Sequence, residues 1–151
     1  MERSKVAILI ICLIALGCAN LGRRANSRGI DEVSFIIQGT GSDGTYHYNE
    51  YNYFSDGRIE IHQKDTLNGT VTREFHRGGT ISAGEFEKFV DIIFKNELLS
   101  KTENALPNSR QILRIVSDKG TKMLDIDRTE DGARELSLAI SGAKVTLEPT
   151  K

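Results

Sequence analysis

Residues 81–94, ISAGEFEKFVDIIF, carry the clearest structural signal in the chain. Ser82 followed by Glu85 three positions later is a capping box, in which two side chains satisfy free N–H groups at the start of a helix. Ile81 before the cap and Phe86 after it form a hydrophobic staple. Large apolar residues then recur at helical spacing, which predicts an amphipathic helix that buries one stripe. The stripe consists of Phe86, Phe89, Val90, Ile93 and Phe94.

The segment before this helix has strand character. Its apolar runs are rich in β-branched and aromatic residues and are separated by glycine-containing turns. Asp56-Gly57 is a strong hairpin signal, and Asn68-Gly69 is a second one. The four predicted strands are Val33–Gln38, Tyr46–Phe54, Arg58–Lys64 and Thr70–His76.

The segment after the helix predicts a second hairpin and a second helix. The hairpin comprises Gln111–Val116 and Lys122–Ile126, the short helix is Ala133–Ile140 with Gly142 as its stop, and Val145–Leu147 is a last short strand. Four strands and a helix, followed by two strands and a second helix, indicate an antiparallel sheet with helices covering one face. We therefore predict an α+β domain, with a sheet of about six strands and two helices, one amphipathic and one short and C-terminal, on the same face.

Turn lengths predict which side chains share a face of the sheet. A two-residue Asp56-Gly57 turn would place Tyr53 opposite Glu60 and Tyr51 opposite His62. A three-residue Leu67–Gly69 loop would keep the apolar residues of the next hairpin together, because a slip of one residue reverses every side chain. The helix-covered face is then predicted to hold Phe54, Ile59, Ile61, Val71 and Phe75, together with Tyr46 and Tyr48.

The opposite face is a candidate binding surface, free of helices in this prediction. Its members are Tyr51, Tyr53, Glu60, His62, Glu74 and His76. His62 would lie directly across from Glu74, and His76 across from Glu60. Such pairs are common in sheets, and alternate positions on flat strands seldom converge to the roughly 2.1 Å that zinc requires. We expect no metal and no cofactor here, but a surface suited to a protein or peptide partner.

The sequence around each candidate catalytic motif does not predict the structure that its chemistry needs. Residues 39–44 match GxGxxG, yet residues 45–49 favour a strand where a dinucleotide site needs a helix, so the motif is interpreted as a hairpin loop. Asp125 and Asp127 are interpreted as solvated edge charges. We expect no enzyme activity. The alternative is a small envelope hydrolase using Glu60, His62, Glu74 or His76.

The first residues resemble an export signal. Arg3 and Lys5 precede an apolar run from Val6 to Leu16, which is too short to span a bilayer as a helix. Ala15-Leu16-Gly17-Cys18 resembles the lipobox of bacterial lipoproteins, which implies cleavage before Cys18, acylation of that cysteine and attachment to the cell envelope. Cleavage after Ala19 would instead give a secreted soluble protein.

The predicted organisation is therefore a signal peptide at 1–17, a lipidated Cys18 with a polar tether to residue 30, and one domain at 31–151. Cys12 would be removed and Cys18 acylated, so the domain would contain no disulfide. The mature chain would have 134 residues, 18 basic and 20 acidic, for a net charge of −2. This charge argues against a nucleic acid partner.

Two segments carry a wider resemblance. Residues 53–59, YFSDGRI, and residues 81–86, ISAGEF, with the helix that follows, are similar to small bacterial lipoproteins of unknown function and, more distantly, to emfourin-type inhibitors of secreted metalloproteases. The similarity spans roughly residues 33–126 and assigns no functional residue. The inhibitor likeness implies binding without chemistry. We therefore interpret the chain as a membrane-tethered binding module of the envelope.

The lipid anchor can be tested on the native N-terminus. We expect mass spectrometry to find a mature chain that begins at an acylated Cys18 and partitions with membranes. Cys18→Ser should abolish the lipid and block normal processing, whereas Cys12→Ser should change neither. An unmodified chain beginning at Asn20 would contradict the lipoprotein prediction.

Overall fold

A seven-stranded antiparallel sheet lies at the centre of the structure, a computed structural model that describes residues 27–129 and 131–149. The predicted signal segment, Cys12, Cys18 and most of the tether lie outside these residues. The strands are β1 Ile30–Thr40, β2 Tyr46–Phe54, β3 Arg58–Leu67, β4 Thr70–Ile81, β5 Gln111–Ser117, β6 Gly120–Asp125 and β7 Val145–Leu147. They are arranged in the order β6-β5-β1-β2-β3-β4-β7.

Two α-helices, α1 Ala83–Lys95 and α2 Asp131–Ser141, and a short 3₁₀ turn at Leu98–Ser100 complete the described elements. The predicted α+β class with an antiparallel sheet is confirmed. The strand number differs, seven where about six were expected, because β7 joins the sheet by pairing with the end of β4. Neither α-helix within the described ranges is long and apolar enough to span a bilayer.

Helix α1 begins at the predicted N-cap, where the Ser82 half of the capping box is formed. Ser82 has extended backbone angles, and its hydroxyl accepts the Glu85 N–H at 3.2 Å. The Glu85 carboxylate binds the Lys88 ammonium at 2.6 Å. Phe94 was expected in the buried stripe, and this is wrong. It lies at the margin of the stripe, 39% exposed, where the Arg28 guanidinium covers its ring at 4.5 Å.

The core lies between α1, α2 and one face of the sheet. Phe89 is fully buried and contacts the ring of Tyr53 edge-on, with ring centroids 5.5 Å apart, and that of Phe86 at 6.2 Å. Helix α2 contributes a second apolar stripe to the same layer. The core also contains Ile30, Val33, Leu113, Ile115, Leu124, Ile126, Leu136 and Ile140. Ile30, one residue before the predicted domain boundary, is the first residue of β1 and is buried.

The predicted turn between β2 and β3 is wrong by one residue. The loop has three residues, Ser55 to Gly57, and Gly57 adopts the left-handed conformation with φ of 90°. This pairs Tyr53 with Ile59 and Tyr51 with Ile61. One step in pairing reverses the faces of a strand. Both tyrosines therefore point toward the helices, whereas Tyr46, Tyr48 and Phe54 lie on the opposite face.

The turn between β3 and β4 also differs from the prediction. Asn68 and Gly69 both have positive φ and form a two-residue turn, and a β-bulge follows where Asp65 pairs with Arg73 but Thr66 with Val71. His62 therefore pairs with His76, and the predicted pairs of His62 with Glu74 and of His76 with Glu60 are wrong.

The shorter turn and the bulge together shift the pairing of β3 with β4 by two residues from the predicted pairing. A shift of two leaves each side chain on its predicted face, because side chains alternate along a strand. Ile59, Ile61 and Phe75 share the helix side by register. Val71, which lies beyond the bulge, is an exception because it is exposed near the tip of the hairpin.

The outer edge of β6 is covered by side chains. The Glu103 carboxylate accepts the Met123 N–H at 3.0 Å, and the Asn104 side-chain oxygen accepts the Asp125 N–H at 2.7 Å. These N–H groups point away from β5, and β6 is the last strand on this side of the sheet that the described residues form. Residues 103 and 104 thus satisfy the donors that a sheet edge normally exposes.

The core assignment predicts the cost of truncating its central aromatic. Phe89→Ala should lower the free energy of unfolding by about 3–5 kcal/mol, because a fully buried phenylalanine leaves a cavity. Phe94→Ala on the same helix is the control and should cost less than about 1.5 kcal/mol, mainly the contact with Arg28. Chemical denaturation measures both. Equal losses would contradict this packing.

Candidate functional site

The face of the sheet turned away from α1 and α2, here called the open face, carries four of the six predicted site residues. They are Glu60, His62, Glu74 and His76. Between β2 and β4 this face has a depression of about 400 Å³, whose lining includes Glu50, Asn52, Glu60, His62, His76 and Gly78. The predicted grouping of the charged members on one face is therefore correct, although their pairing is not.

Tyr51 and Tyr53 do not belong to the open face, which corrects their predicted position. Tyr53 is buried beneath Phe89, and burial together with the nearby Tyr51 raises the pKa of Tyr53 to about 12. Tyr51 lines an apolar cavity of about 360 Å³ on the helix side, between the sheet and the C-terminal segment. The two rings pack with the core because the three-residue loop turns them inward.

His62, Glu74 and His76 form a compact cluster. The two imidazole rings stack nearly parallel, with centroids 4.2 Å apart and planes at 11°. The Glu74 carboxylate oxygen Oε1 lies 3.1 Å from His62 Nε2 and 3.6 Å from His76 Nε2. The hydrogen bond from His62 is the main reason that the pKa of Glu74 is lowered, with smaller contributions from Lys64 and His76.

The backbone of two strands positions this cluster. His62 and His76 are cross-strand partners on β3 and β4, and Glu74 is diagonal to His62, opposite Lys64. Tyr48 on β2 contacts the His62 ring edge-on, with centroids 5.8 Å apart. His62 is therefore held on both sides, with 27% of its side chain exposed, whereas 66% of His76 is exposed.

A second polar group on the open face was not predicted. The Arg114 guanidinium lies 2.8 Å from Glu32 Oε1 and 2.7 Å from Glu50 Oε1. The Ser34 hydroxyl donates to Glu32 at 2.6 Å, and the Tyr48 hydroxyl donates to Glu50 at 2.9 Å. One cation thus joins side chains of β5, β1 and β2.

The surroundings of this group raise the pKa of two of its members, Arg114 and Tyr48. Burial alone would lower the pKa of Arg114, but the hydrogen bond and charge of Glu32 and the charge of Glu50 outweigh it and raise the pKa. Burial and the hydrogen bond to Glu50 raise the pKa of Tyr48 to about 12, so its hydroxyl stays a donor. The network is only partly open to water, with 28% of Arg114 and 12% of Glu50 exposed.

Strand alternation could have predicted the face of some members of this network, but not the pairing of Arg114 with Glu32. Arg114 and Glu32 are 82 residues apart and meet because β5 pairs with β1. Once Tyr53 is placed in the core, strand alternation puts Glu50 and Asn52 on the open face. The wrong turn length placed Tyr51 and Tyr53 on this face, so by the same alternation it placed Glu50 and Asn52 on the helix side.

The glycine-rich motif forms a hairpin loop, as predicted. Gly41 donates its N–H to the Thr45 carbonyl at 2.8 Å, and the Asp43 carboxylate accepts the Thr45 N–H at 2.9 Å. Gly44 has a φ of 81°, which a side chain would strain. The loop joins β1 directly to β2, so no helix follows the motif.

Two other charged residues have structural partners. Asp125, predicted as a solvated edge charge, is buried and hydrogen bonded to the Ser109 hydroxyl, which in turn accepts the Leu106 N–H. It fixes the segment before β5 instead of facing water. His47 pairs with Asp65 at 2.8 Å near the far end of the hairpins, on the opposite face from His62.

Known proteins provide no further guide to this site. The chain matches no protein family, and no curated protein is significantly similar to it. The resemblance to bacterial lipoproteins and to emfourin-type inhibitors therefore stays a prediction.

The network around Arg114 predicts a loss of stability when its cation is removed. Arg114→Met would leave Glu32 and Glu50 partly buried without their cation, and should cost about 1–3 kcal/mol at neutral pH. Arg58→Met is the control, an exposed arginine paired with Asp56 and Glu60, expected to cost under about 1 kcal/mol. Urea denaturation measures both, and equal losses would contradict this role.

Proposed function

We propose that the protein is an exported, lipid-anchored binding module of the bacterial cell envelope, which contacts a protein or peptide partner through its open face. The observation that carries this proposal is the division of the sheet into two unlike faces. One face is filled by α1, α2 and the apolar core, while the other presents polar side chains around a depression between β2 and β4.

The position of the first described residues is compatible with an anchor at Cys18. Arg28 stacks on Phe94 and forms an ion pair with Asp91, so the chain enters the domain beside α1. This entry lies on the helix side of the sheet. A tether attached there leaves the open face available to a partner.

The charges of the open face favour a partner with basic side chains. Arg114 is shared by two carboxylates, so this group retains one net negative charge. Glu60, which lines the depression, is largely exposed. The charged side chains of this face on β1 to β5 include Glu32, Glu50, Glu60 and Glu74 against Arg58, Lys64 and Arg114. Complementary charges at such a surface set the specificity and the rate of association more than the affinity.

A small envelope hydrolase is the second candidate. It is favoured by one observation, the approach of two imidazoles and a carboxylate at His62, Glu74 and His76. Among the described residues, the lining of the depression beside them comes from β2, β3 and β4 alone, with no loop or helix to exclude water from a small substrate. Contact with a larger partner fits this shape better, and the binding module is therefore preferred.

Site-specific crosslinking in the native envelope tests the binding proposal. A photoreactive residue at position 60, in the lining of the depression, should crosslink to one defined envelope protein. The same residue at position 88, exposed on α1, is the control and should not capture that protein. Asn52→Arg, which adds a cation to the depression, should reduce the crosslink at position 60. Equal capture from positions 60 and 88, or no capture at position 60, would contradict the proposal.

A further inference from the structure

We propose that His62, Glu74 and His76 form a binding site for a divalent transition metal ion of the zinc type. This inference is independent of the proposed partner and of the anchor, because it rests on three side chains of one hairpin. It also reverses the expectation from the sequence that strand positions of this kind would not converge.

The three ligand atoms already lie close together. One ring nitrogen from each histidine and one carboxylate oxygen are all within 4.8 Å of one another. Zinc bonds of about 2.1 Å in a tetrahedron place neighbouring ligand atoms about 3.4 Å apart. The Nε2 atoms of His62 and His76 lie 3.1 and 3.6 Å from the same oxygen of Glu74. To direct both ring nitrogens at one ion, the stacked rings must turn out of their parallel arrangement, and the exposed side chains of His76 and Glu74 have room for this movement.

The donor set selects the class of metal. Imidazole nitrogen suits zinc, copper, nickel and iron, whereas calcium and magnesium prefer sites made of oxygen alone. Two histidines and one glutamate are the three protein ligands of several zinc sites, which keep the fourth position for water or another molecule. The solvent exposure of His76 and Glu74 leaves such a position accessible.

The β-bulge provides an independent argument. The two-residue Asn68-Gly69 turn, continued without a bulge, would place His62 opposite Phe75. The extra residue of β4 near Thr72 shifts the pairing by one and brings His76 opposite His62. Bulges commonly redirect a side chain at functional sites. In this hairpin the bulge creates the pair of imidazoles.

The charges around the cluster allow a cation. Lys64 lies opposite Glu74 and opposes a bound ion. Glu50, the cross-strand partner of His62 on β2, is paired with Arg114, and Glu60, which lines the same depression, lies 3.4 Å from Arg58. Glu74 is therefore the carboxylate that directly offsets the lysine. A divalent ion would then add charge to a face that carries an excess of carboxylates.

His47 provides a matched internal control. It also pairs with a carboxylate, Asp65, but by register it lies on the opposite face from the cluster. A single imidazole and one carboxylate give only two ligands. Metal affinity should therefore depend on His62 and His76 and be insensitive to His47.

Metal titration of the full chain, purified in mild detergent without a histidine tag, tests the site. Zn²⁺ should bind at one equivalent per chain by calorimetry, and Co²⁺ should give the visible absorption of a tetrahedral or five-coordinate site. His76→Gln and Glu74→Gln should each weaken binding by at least about tenfold, while His47→Gln should leave it unchanged. Circular dichroism of each variant establishes that it folds.

Nuclear magnetic resonance separates this site from loose surface binding. Zn²⁺ should shift the imidazole signals of His62 and His76 together and leave those of His47 in place. The proposal is overturned if no stoichiometric binding occurs, if all three histidines respond alike, or if His76→Gln and His47→Gln weaken binding equally.

Discussion

The alternation of side chains across the hairpin of β2 and β3 is the constraint on which both faces of the structure depend. A one-residue change in pairing exchanges the faces of a strand, so the length of the Ser55–Gly57 loop determines which residues are core and which are surface. With three residues in the loop, Tyr53 meets Phe89 beneath the helix and Glu50 meets Arg114 on the open side. The core and the candidate site are two results of the same register.

Local signals in the sequence predicted the elements of the fold well. The cap at Ser82, the buried stripe of α1, each strand segment and the short helix α2 all have residues whose own conformational preferences and spacing agree with the structure. These features depend on neighbours within a few positions. The α+β class followed from their order along the chain.

The errors concern features that local patterns do not determine. Asp56-Gly57 indicated a turn but not its length, because a glycine with positive φ serves both two-residue and three-residue loops. The bulge in β4 changes the pairing without a distinctive residue at its centre. The Arg114 network depends on strands 82 residues apart. For this reason the histidines and glutamates of the candidate surface were predicted on the correct face, while its two tyrosines were placed on the wrong one.

The two polar groups of the open face differ in character. Arg114, Glu32 and Glu50 form a largely covered network that joins β5, β1 and β2, and each member has several partners. His62, Glu74 and His76 are more exposed and join only β3 and β4. The first group stabilises the sheet, since Arg114 bridges its two carboxylates. The second retains ring nitrogens and carboxylate oxygens that an incoming ion or partner can reach.

The covered edge of β6 also affects how copies of this chain behave at high local concentration. A strand from another molecule can extend a sheet only by bonding to its free N–H and C=O groups, and the donors of Met123 and Asp125 are occupied by Glu103 and Asn104. An incoming strand would first have to displace these side chains. On the other side of the sheet β7 covers only Gly79 to Ile81 of β4, and the uncovered part of β4 carries the charged Arg73 and Glu74 beside its bulge. The covered edge of β6 and this charged part of β4 both oppose the strand-to-strand growth that leads to aggregation.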